Sequence, residues 1–308
     1  MQIISGQTNI PLQTEKKGAV AIGKFDGIHI GHRKLLAEMI EAKKQGMEAI
    51  VFTFNPSPEE LFKKITLPVL DTTEEKREKF EKMGVDYLIE FPLTFETAAI
   101  SPQKFMQDIL HNKLHAGLVV SGADLSFGDK GKGNAAMLAT FAKEHNFVYR
   151  MIDKVCVNGK EVSSTRIREA VENGFMEEVT SMLGEPYGIS GTIVHGNHLG
   201  HSLDMPTVNV IPEKNKLLPP RGVYATISET QGNAYYGVTN IGYKPTVSNQ
   251  KVLGVETYLY DFNGDLYGES IQTKLLHFMR PEQHFTNIEA LKEQLTRDRE
   301  NGRLFWKI

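Results

Sequence analysis

The apolar residues of this chain change their spacing once, near Pro186, and that change limits the folds it can adopt. Before this point, short apolar runs alternate with segments in which apolar residues recur every three or four positions. We predict strands at residues 19–25, 48–54, 86–91, 118–122 and 147–152, with helices at 31–45, 72–83, 102–114 and 135–145 between them. Strands that alternate with helices form parallel βαβ units with right-handed crossovers. The first part of the chain is therefore expected to be an α/β domain built on a parallel sheet.

The predicted helix at 72–83 has a start signal and a stop signal in the sequence. Asp71 stands where an N-cap side chain is expected, and Gly84 follows the last helical position. We expect the helix to begin directly after Asp71.

After Pro186 the pattern is that of a β-protein. Strands are predicted at residues 188–195, 222–228, 234–239, 254–261 and 270–278, followed by one helix at 287–300. The pair Asn263-Gly264 favours a tight hairpin turn. This part is expected to be a small β-barrel or a β-sandwich with one helix. Gly184 and Pro186 interrupt the pattern, so we place the domains at residues 1–185 and 186–308.

Composition excludes several classes of protein. The 308 residues carry a net charge of −3, so nothing indicates nucleic-acid binding. No apolar run reaches the length of about 20 residues that a membrane span needs, and the N-terminus lacks a signal-peptide pattern. Cys156 is the only cysteine, which fits a reducing compartment. We expect a cytoplasmic protein with no membrane partner.

A glycine-rich turn joins the first predicted strand to the first predicted helix, with the sequence Gly23-Lys24-Phe25-Asp26-Gly27-Ile28-His29-Ile30-Gly31-His32. A turn of this kind lets backbone amides and a helix N-terminus face an anion. The two histidines add side-chain donors, and the chain has no Walker loop. We predict a nucleotide phosphate site, with surface or capping histidines as the alternative. A zinc site is disfavoured, because no Cys or Glu stands at helical ligand spacing from the histidines.

A second polar cluster begins another predicted helix, with the sequence Ser163-Ser164-Thr165-Arg166-Ile167-Arg168. Hydroxyl side chains at a helix start commonly serve as caps. The two arginines that follow favour an anion site, since a guanidinium binds phosphate in a forked geometry.

Together, residues 23–32 and 163–168 resemble the adenylyltransferase half of bacterial bifunctional riboflavin kinase/FAD synthetases, within the His-x-Gly-His nucleotidyltransferases. The resemblance implies a Rossmann-like N-terminal domain and transfer of AMP from ATP to FMN, with release of pyrophosphate. In this comparison His29, His32 and Arg166 are the catalytic donors. The nucleotide and flavin contacts map to Gly23, Phe25, Asp26, Gly31, Asn55, Pro56, Pro58, Asp124, Ser164 and Thr165.

The second half resembles the riboflavin kinase domain of the same enzymes, through segments 191–209, 220–225, 237–246 and 255–268. This implies an antiparallel β-barrel with a C-terminal helix that phosphorylates riboflavin to FMN. Thr207 and Asn209 are implied to hold ATP and Mg²⁺, and Glu256 to be the general base. Further cofactor contacts map to Gly191, His195, Gly196 and Arg280.

Several positions depart from the pattern of the family. It often has His where this chain has Ser57, and Phe-Arg or Phe-Thr in place of Leu125-Ser126. These departures keep open a riboflavin kinase with weak or absent FAD synthesis. A second alternative is an inactive regulator that binds flavin or nucleotide. With small-molecule substrates as its partners, the protein is expected to be a monomer or a weak homo-oligomer.

Overall fold

A computed structural model of the chain describes residues 1–195, 206–245 and 251–308. The chain forms two compact units, Met1–Ser164 and Thr165–Ile308. The first is an α/β domain on a parallel sheet and the second contains a closed antiparallel barrel, which confirms the predicted fold class. No helix in these residues is both long and apolar enough to cross a bilayer.

The first unit contains a six-stranded parallel sheet in the order β1-β4-β3-β2-β5-β8. Its strands are β1 (Gln2–Ser5), β2 (Gly18–Ile22), β3 (Glu48–Asn55), β4 (Tyr87–Pro92), β5 (Ala116–Gly122) and β8 (Val148–Ile152). The helices are α1 (Ile30–Lys44), α2 (Pro58–Lys63), α3 (Thr73–Lys82), α4 (Phe95–Ala98), α5 (Pro102–Lys104) and α6 (Ala135–Glu144). Two short hairpins complete the unit, β6 (Ser126–Phe127) with β7 (Gly133–Asn134), and β9 (Cys156–Val157) with β10 (Lys160–Glu161).

Both faces of this sheet are buried, as expected for parallel strands between helices. Alternate residues of β2 point to opposite sides: Val20 belongs to one core cluster, and Ala19 and Ala21 belong to the other. Helix α1 packs on the alanine side through residues such as Leu36, whereas α6 packs on the valine side through residues such as Leu138. The turn at residues 23–29 therefore leaves the carboxyl end of a central strand.

The start of α3 differs from its prediction. Thr72 is the N-cap, not Asp71: the Thr72 hydroxyl accepts from the Glu75 amide at 3.2 Å, and the Glu75 carboxylate accepts from the Thr72 amide at 2.9 Å. The Asp71 carboxylate instead pairs with Lys79 at 2.7 Å. The Thr-x-x-Glu spacing at 72–75 is the sequence signal for this capping box. Gly84 follows the helix with a φ of +84°, as a stop signal requires.

The helix expected at 102–114 is also different. Only Pro102–Lys104 is α-helical, and Phe105–Lys113 continues as a π-helix. Its apolar residues, including Phe105 and Ile109, still face the sheet and are buried.

The second unit begins with two helices and continues as a barrel. The helices are α7 (Ser164–Glu172), whose first residue closes the first unit, and α8 (Met176–Leu183). The strands are β11 (Tyr187–Val194), β12 (Thr207–Val210), β13 (Gly222–Thr230), β14 (Asn233–Pro245), β15 (Lys251–Leu259) and β16 (Ser270–Pro281). They close in the order β11-β12-β15-β14-β13-β16, and helix α9 (Ile288–Trp306) follows. The short strand β12 was not predicted.

The interior of the barrel contains a layer of buried hydroxyl groups. Thr239 shares hydrogen bonds with Thr226 at 2.8 Å and with Thr257 at 2.9 Å, and Ser228 pairs with Thr273 at 3.2 Å. These residues alternate with the residues of the same strands that point outward. Because each hydroxyl has a partner, the polar layer is compatible with a packed core.

The predicted boundary between residues 185 and 186 concerns the functional domains and stays a prediction. The division into two compact units falls after Ser164. Helix α8 belongs to the second unit, because it packs against β16 and β11.

Candidate active sites

The turn after β2 has an unusual backbone conformation. Phe25, Gly27 and Ile28 have φ angles of +51°, +84° and +36°. Such angles are uncommon for a residue with a side chain, and a β-branched residue rarely adopts them. Phe25 and Ile28 are fully buried, so tertiary packing compensates for a strain of about 1–3 kcal/mol at each.

The two histidines of the turn lie face to face. Their ring centroids are 3.7 Å apart, and Nδ1 of His29 accepts a hydrogen bond from the backbone amide of His32 at 3.3 Å. His29 is thereby the N-cap of α1. A Cβ on Gly31 would lie 3.1 Å from the His29 ring, so glycine gives the ring its space. Because Nδ1 accepts a hydrogen bond, the neutral His29 ring carries its proton on Nε2, from which it can donate a hydrogen bond to a phosphate oxygen.

Both histidines are neutral at pH 7. Burial lowers the pKa of His29 to about 4, and the negative charge of Asp124 opposes this change only in part. Burial also holds the pKa of His32 well below its usual range, assisted by the nearby His29 and Lys76. The site therefore offers uncharged hydrogen-bond donors to an anion, with no imidazolium charge.

Other predicted contacts of the first unit lie at the carboxyl ends of neighbouring strands. Asn55 ends β3 and is exposed together with Pro56, and Pro58 is the first residue of α2. Ser57 is the N-cap of α2, its hydroxyl accepting from the Glu60 amide at 3.3 Å. The serine found in place of the family's histidine thus has a local structural role.

The loop after β5 contains the other departures from the family pattern. Asp124 is exposed, and its charge acts on His29. Leu125 packs against the core of the first unit, whereas Ser126 is exposed in the β6–β7 hairpin.

The second motif meets the turn through Ser164. Its hydroxyl donates to the backbone carbonyl of Asp26 at 2.8 Å. Thr165 is exposed in the first turn of α7. Arg166 pairs with Glu178 of α8 at 2.6 Å, a contact that the sequence did not predict.

The second unit contains a cavity of about 290 Å³ between the outer face of the barrel and α9. Its wall is formed by alternate residues of neighbouring strands, because residues two apart on a strand share a face. The apolar part consists of Val223, Val238, Tyr258, Phe285, Leu291 and Leu295. The polar part consists of Thr207, Asn240, Glu256, Arg280, Glu282, Gln283, Asp298 and Arg299.

Three predicted residues lie together on β12 and β15, and two of them, Thr207 and Glu256, line the cavity. Glu256 lies directly opposite Asn209 on β12 in the strand register, and its carboxylate accepts a hydrogen bond from the Thr207 hydroxyl at 2.6 Å. The side-chain oxygen of Asn209 is buried and has no hydrogen-bond partner in the part of the chain that the structure describes. A buried amide oxygen beside a threonine hydroxyl is the type of oxygen donor set that Mg²⁺ accepts. The residues present therefore fit this cation.

Arg280 is held rigidly against the cavity. Its Nε and Nη2 atoms contact the two carboxylate oxygens of Asp298 at 2.8 and 2.5 Å. Asp298 is 4% exposed and also accepts from Gln294 at 2.9 Å. The bidentate pair joins the end of β16 to α9 and fixes one side of the cavity.

The remaining predicted contacts lie in the second half of β11 and directly after it. A Cβ on Gly191 would be 2.5 Å from the Val210 side chain, so glycine permits the close approach of β11 and β12. His195 is exposed and stacks on Tyr267 with ring centroids 3.8 Å apart. Gly196 lies outside the described residues.

Two residues that line the cavity, Asn240 and Asp298, are not predicted from the sequence. Asn240 lies within a quoted family segment, but no role was assigned to it. Asp298 lies in the predicted final helix, and only its position near the apolar residues Leu291 and Leu295 of that helix gave a signal.

Comparison with known proteins matches a different family to each part of the chain. The FAD synthetase family matches residues 12–166, and the riboflavin kinase family matches residues 183–306. The bifunctional riboflavin kinase/FMN adenylyltransferase of Listeria monocytogenes is 35% identical over 95% of this chain and 94% of its own. The protein of the same name from Escherichia coli is 34% identical over 100% of this chain and 99% of its own.

A solved structure shares the fold over its full length. The crystal structure of a macrolide-efflux protein from Streptococcus pneumoniae has a TM-score of 0.85 and 28% identity, covering 98% of this chain and 99% of that one. On the identity and coverage of the Listeria and Escherichia proteins, this chain belongs to the family of bifunctional riboflavin kinase/FMN adenylyltransferases.

Proposed function

We propose that this chain makes two flavin cofactors in succession. The second unit phosphorylates riboflavin to FMN with ATP, and the first unit transfers AMP from a second ATP to FMN, giving FAD and pyrophosphate. The observation that carries the proposal is the 2.6 Å hydrogen bond between Thr207 and Glu256 at the wall of a partly apolar cavity. The Glu256 carboxylate can act as a base, and the apolar side chains that line the cavity beside it favour an aromatic ring.

In the kinase reaction the riboflavin 5′-hydroxyl attacks the γ-phosphorus of ATP, and ADP leaves. Glu256 accepts the hydroxyl proton as the new O–P bond forms. The apolar side chains of the cavity bind the isoalloxazine ring, and the Arg280–Asp298 pair keeps that wall in place. Mg²⁺ bound by Thr207 and Asn209 would neutralise charge on the ATP phosphates.

In the adenylyl transfer an oxygen of the FMN phosphate attacks the α-phosphorus of ATP. This oxygen is already anionic, so no strong general base is required. His29 and His32, held neutral by burial, donate hydrogen bonds to the phosphate oxygens, together with the amides at the start of α1. Arg166, which pairs with Glu178 at 2.6 Å, is proposed as a further donor.

The reaction takes place, on this proposal, in the cytoplasm. Cys156 is a free, exposed thiol, which suits a reducing compartment that also supplies ATP.

The test separates the two reactions by substrate. Purified chain is supplied with riboflavin, ATP and Mg²⁺, and separately with FMN, ATP and Mg²⁺, and the flavins are resolved by chromatography. Glu256→Gln should reduce FMN formation by about 10²–10⁴-fold and leave FAD formation from FMN unchanged, since the loss is that of a general base. His32→Ala should show the reverse pattern.

Each contrary outcome identifies a different function. Wild-type protein that makes neither flavin overturns the proposal, and flavin binding without turnover identifies a regulator. FMN without FAD identifies a riboflavin kinase alone. An equal loss of both reactions in Glu256→Gln would contradict separate sites.

A further inference from the structure

Asp26 occupies the middle of the strained turn. Its neighbours Phe25, Gly27 and Ile28 all have positive φ angles, and the side chains of Phe25 and Ile28 are fully buried. A backbone in this conformation is stable only where surrounding contacts fix it. The contacts of Asp26 therefore bear directly on where the histidines after it are placed.

Asp26 joins three segments that are far apart in sequence. Its carboxylate oxygen Oδ1 accepts from the Leu70 amide at 3.0 Å and from the Asp71 amide at 3.5 Å. Its backbone carbonyl accepts from the Ser164 hydroxyl at 2.8 Å. One residue thus connects the histidine turn, the approach to α3 and the start of the second polar motif.

The charge of Asp26 also argues against a direct contact with substrate. FMN and ATP present phosphate groups to this turn, and a carboxylate directed at them would repel them. Backbone amides stabilise a carboxylate through charge-assisted hydrogen bonds. The Leu70 amide, aimed at Oδ1, therefore explains why an acidic residue is accommodated beside an anion site.

We propose that Asp26 is a positioning residue for adenylyl transfer, which holds His29 and Ser164 in register through the Leu70 amide and its own carbonyl. This inference rests on the proposed function, since it assigns Asp26 a part in that reaction. On this inference Asp26 supports the residues that contact nucleotide and does not contact nucleotide itself.

The test uses the full chain with FMN, ATP and Mg²⁺ and compares Asp26→Ala with Asp26→Asn. Asp26→Ala should lower kcat for FAD formation by about 100-fold, because a displacement of about 1 Å in a reacting group has that effect. The KM for ATP should change much less. Asp26→Asn keeps an oxygen that accepts from the amides, so it should retain activity within about fivefold of wild type.

A double variant tests the connection to Ser164. If Asp26 acts by placing Ser164, then Ser164→Ala should lower kcat in the wild-type background and have little further effect in Asp26→Ala. Riboflavin phosphorylation, assayed on the same preparations, should be unchanged throughout and confirms that the second unit is folded, whereas thermal unfolding reports on the fold of the first unit.

Asp86 supplies a matched control. Its carboxylate also accepts from a backbone amide, that of Ala49 at 2.9 Å, but at the amino-terminal edge of the same sheet. Asp86→Ala should lower thermal stability and leave kcat for FAD formation unchanged.

The opposite results would overturn the inference. Equal kcat in Asp26→Ala and Asp86→Ala would leave Asp26 a purely structural role. If Asp26→Asn is as inactive as Asp26→Ala, or is rescued only by excess Mg²⁺, the negative charge of Asp26 contacts a ligand directly. If the losses of kcat in the double variant are additive, Asp26 and Ser164 act independently. Wild-type protein that forms no FAD would instead refute the proposed function itself.

Discussion

His29 gives the first unit a pH dependence that can be calculated from its burial. The folded-state pKa is about 4 and the ordinary value is 6.5. Well above pH 6.5 the ring is neutral in both the folded and the unfolded chain, and its contribution to stability is complete. As the pH falls, the unfolded chain binds a proton that the folded chain excludes until about pH 4, so folding becomes less favourable.

The size of the effect follows from the two pKa values. A gap of roughly 2.5 pH units, at about 1.4 kcal/mol per unit, corresponds to a loss of about 3 kcal/mol below pH 4. About 2 kcal/mol of this is already lost at pH 5.

The variant His29→Gln isolates this contribution, because glutamine keeps hydrogen-bonding groups and does not titrate. Amide hydrogen exchange is measured at pH 7 and pH 5 and corrected for the intrinsic exchange rates. The free energy of opening at the buried amides of Val20 and Ala21 on β2 should fall by about 2 kcal/mol more in wild type than in the variant. The amide of Thr226 on β13, in the other unit, should show no such difference.

One result would refute the reasoning. If wild type and His29→Gln lose the same opening free energy at Val20 and Ala21 between pH 7 and pH 5, burial does not hold His29 neutral. Asp124→Asn checks the sign independently. The Asp124 charge raises the pKa of His29, so its removal should lower that pKa further and extend the loss of stability of the first unit to pH values below about 4.

Two further predictions concern the packing of α9 against the barrel in the second unit. A Cβ on Gly302 would lie 2.3 Å from the Tyr260 hydroxyl, so Gly302→Ala should destabilise the second unit by about 1–3 kcal/mol. Thermal unfolding followed by the fluorescence of Trp306, the only tryptophan, measures this change, and an unchanged Tm would contradict the tight packing of α9. Asp298→Asn removes the charge partner of Arg280 and should raise the KM for riboflavin at least about tenfold, since broken buried pairs cost about 3–5 kcal/mol. Steady-state kinetics with riboflavin and with FMN test it, and an equal change in both reactions would contradict a local effect.

Local sequence signals predicted those parts of the candidate sites whose residues are close together along the chain. The turn at 23–32 follows a buried strand, and the histidines three residues apart meet because a helix begins between them. The family segments identified Thr207, Asn209 and Glu256, and in the structure Thr207 and Glu256 share a hydrogen bond while Asn209 lies opposite Glu256 in the strand register. By contrast, Arg166 pairs with Glu178 and Arg280 with Asp298, and no spacing along the chain predicts either pair.

The sequence alone determined the alternation of strands and helices in the first unit, the predominance of strands in the second and the position of the glycine-rich turn after β2. These depend on the period of apolar residues and on glycine, which act over a few positions. Only the tertiary structure decided that Asp26 binds the amide of Leu70, that burial keeps His29 neutral and that Asp298 pairs with Arg280 at the wall of the cavity. These properties depend on contacts between residues tens of positions apart, because desolvation and side-chain pairing arise only when the packed units exclude water.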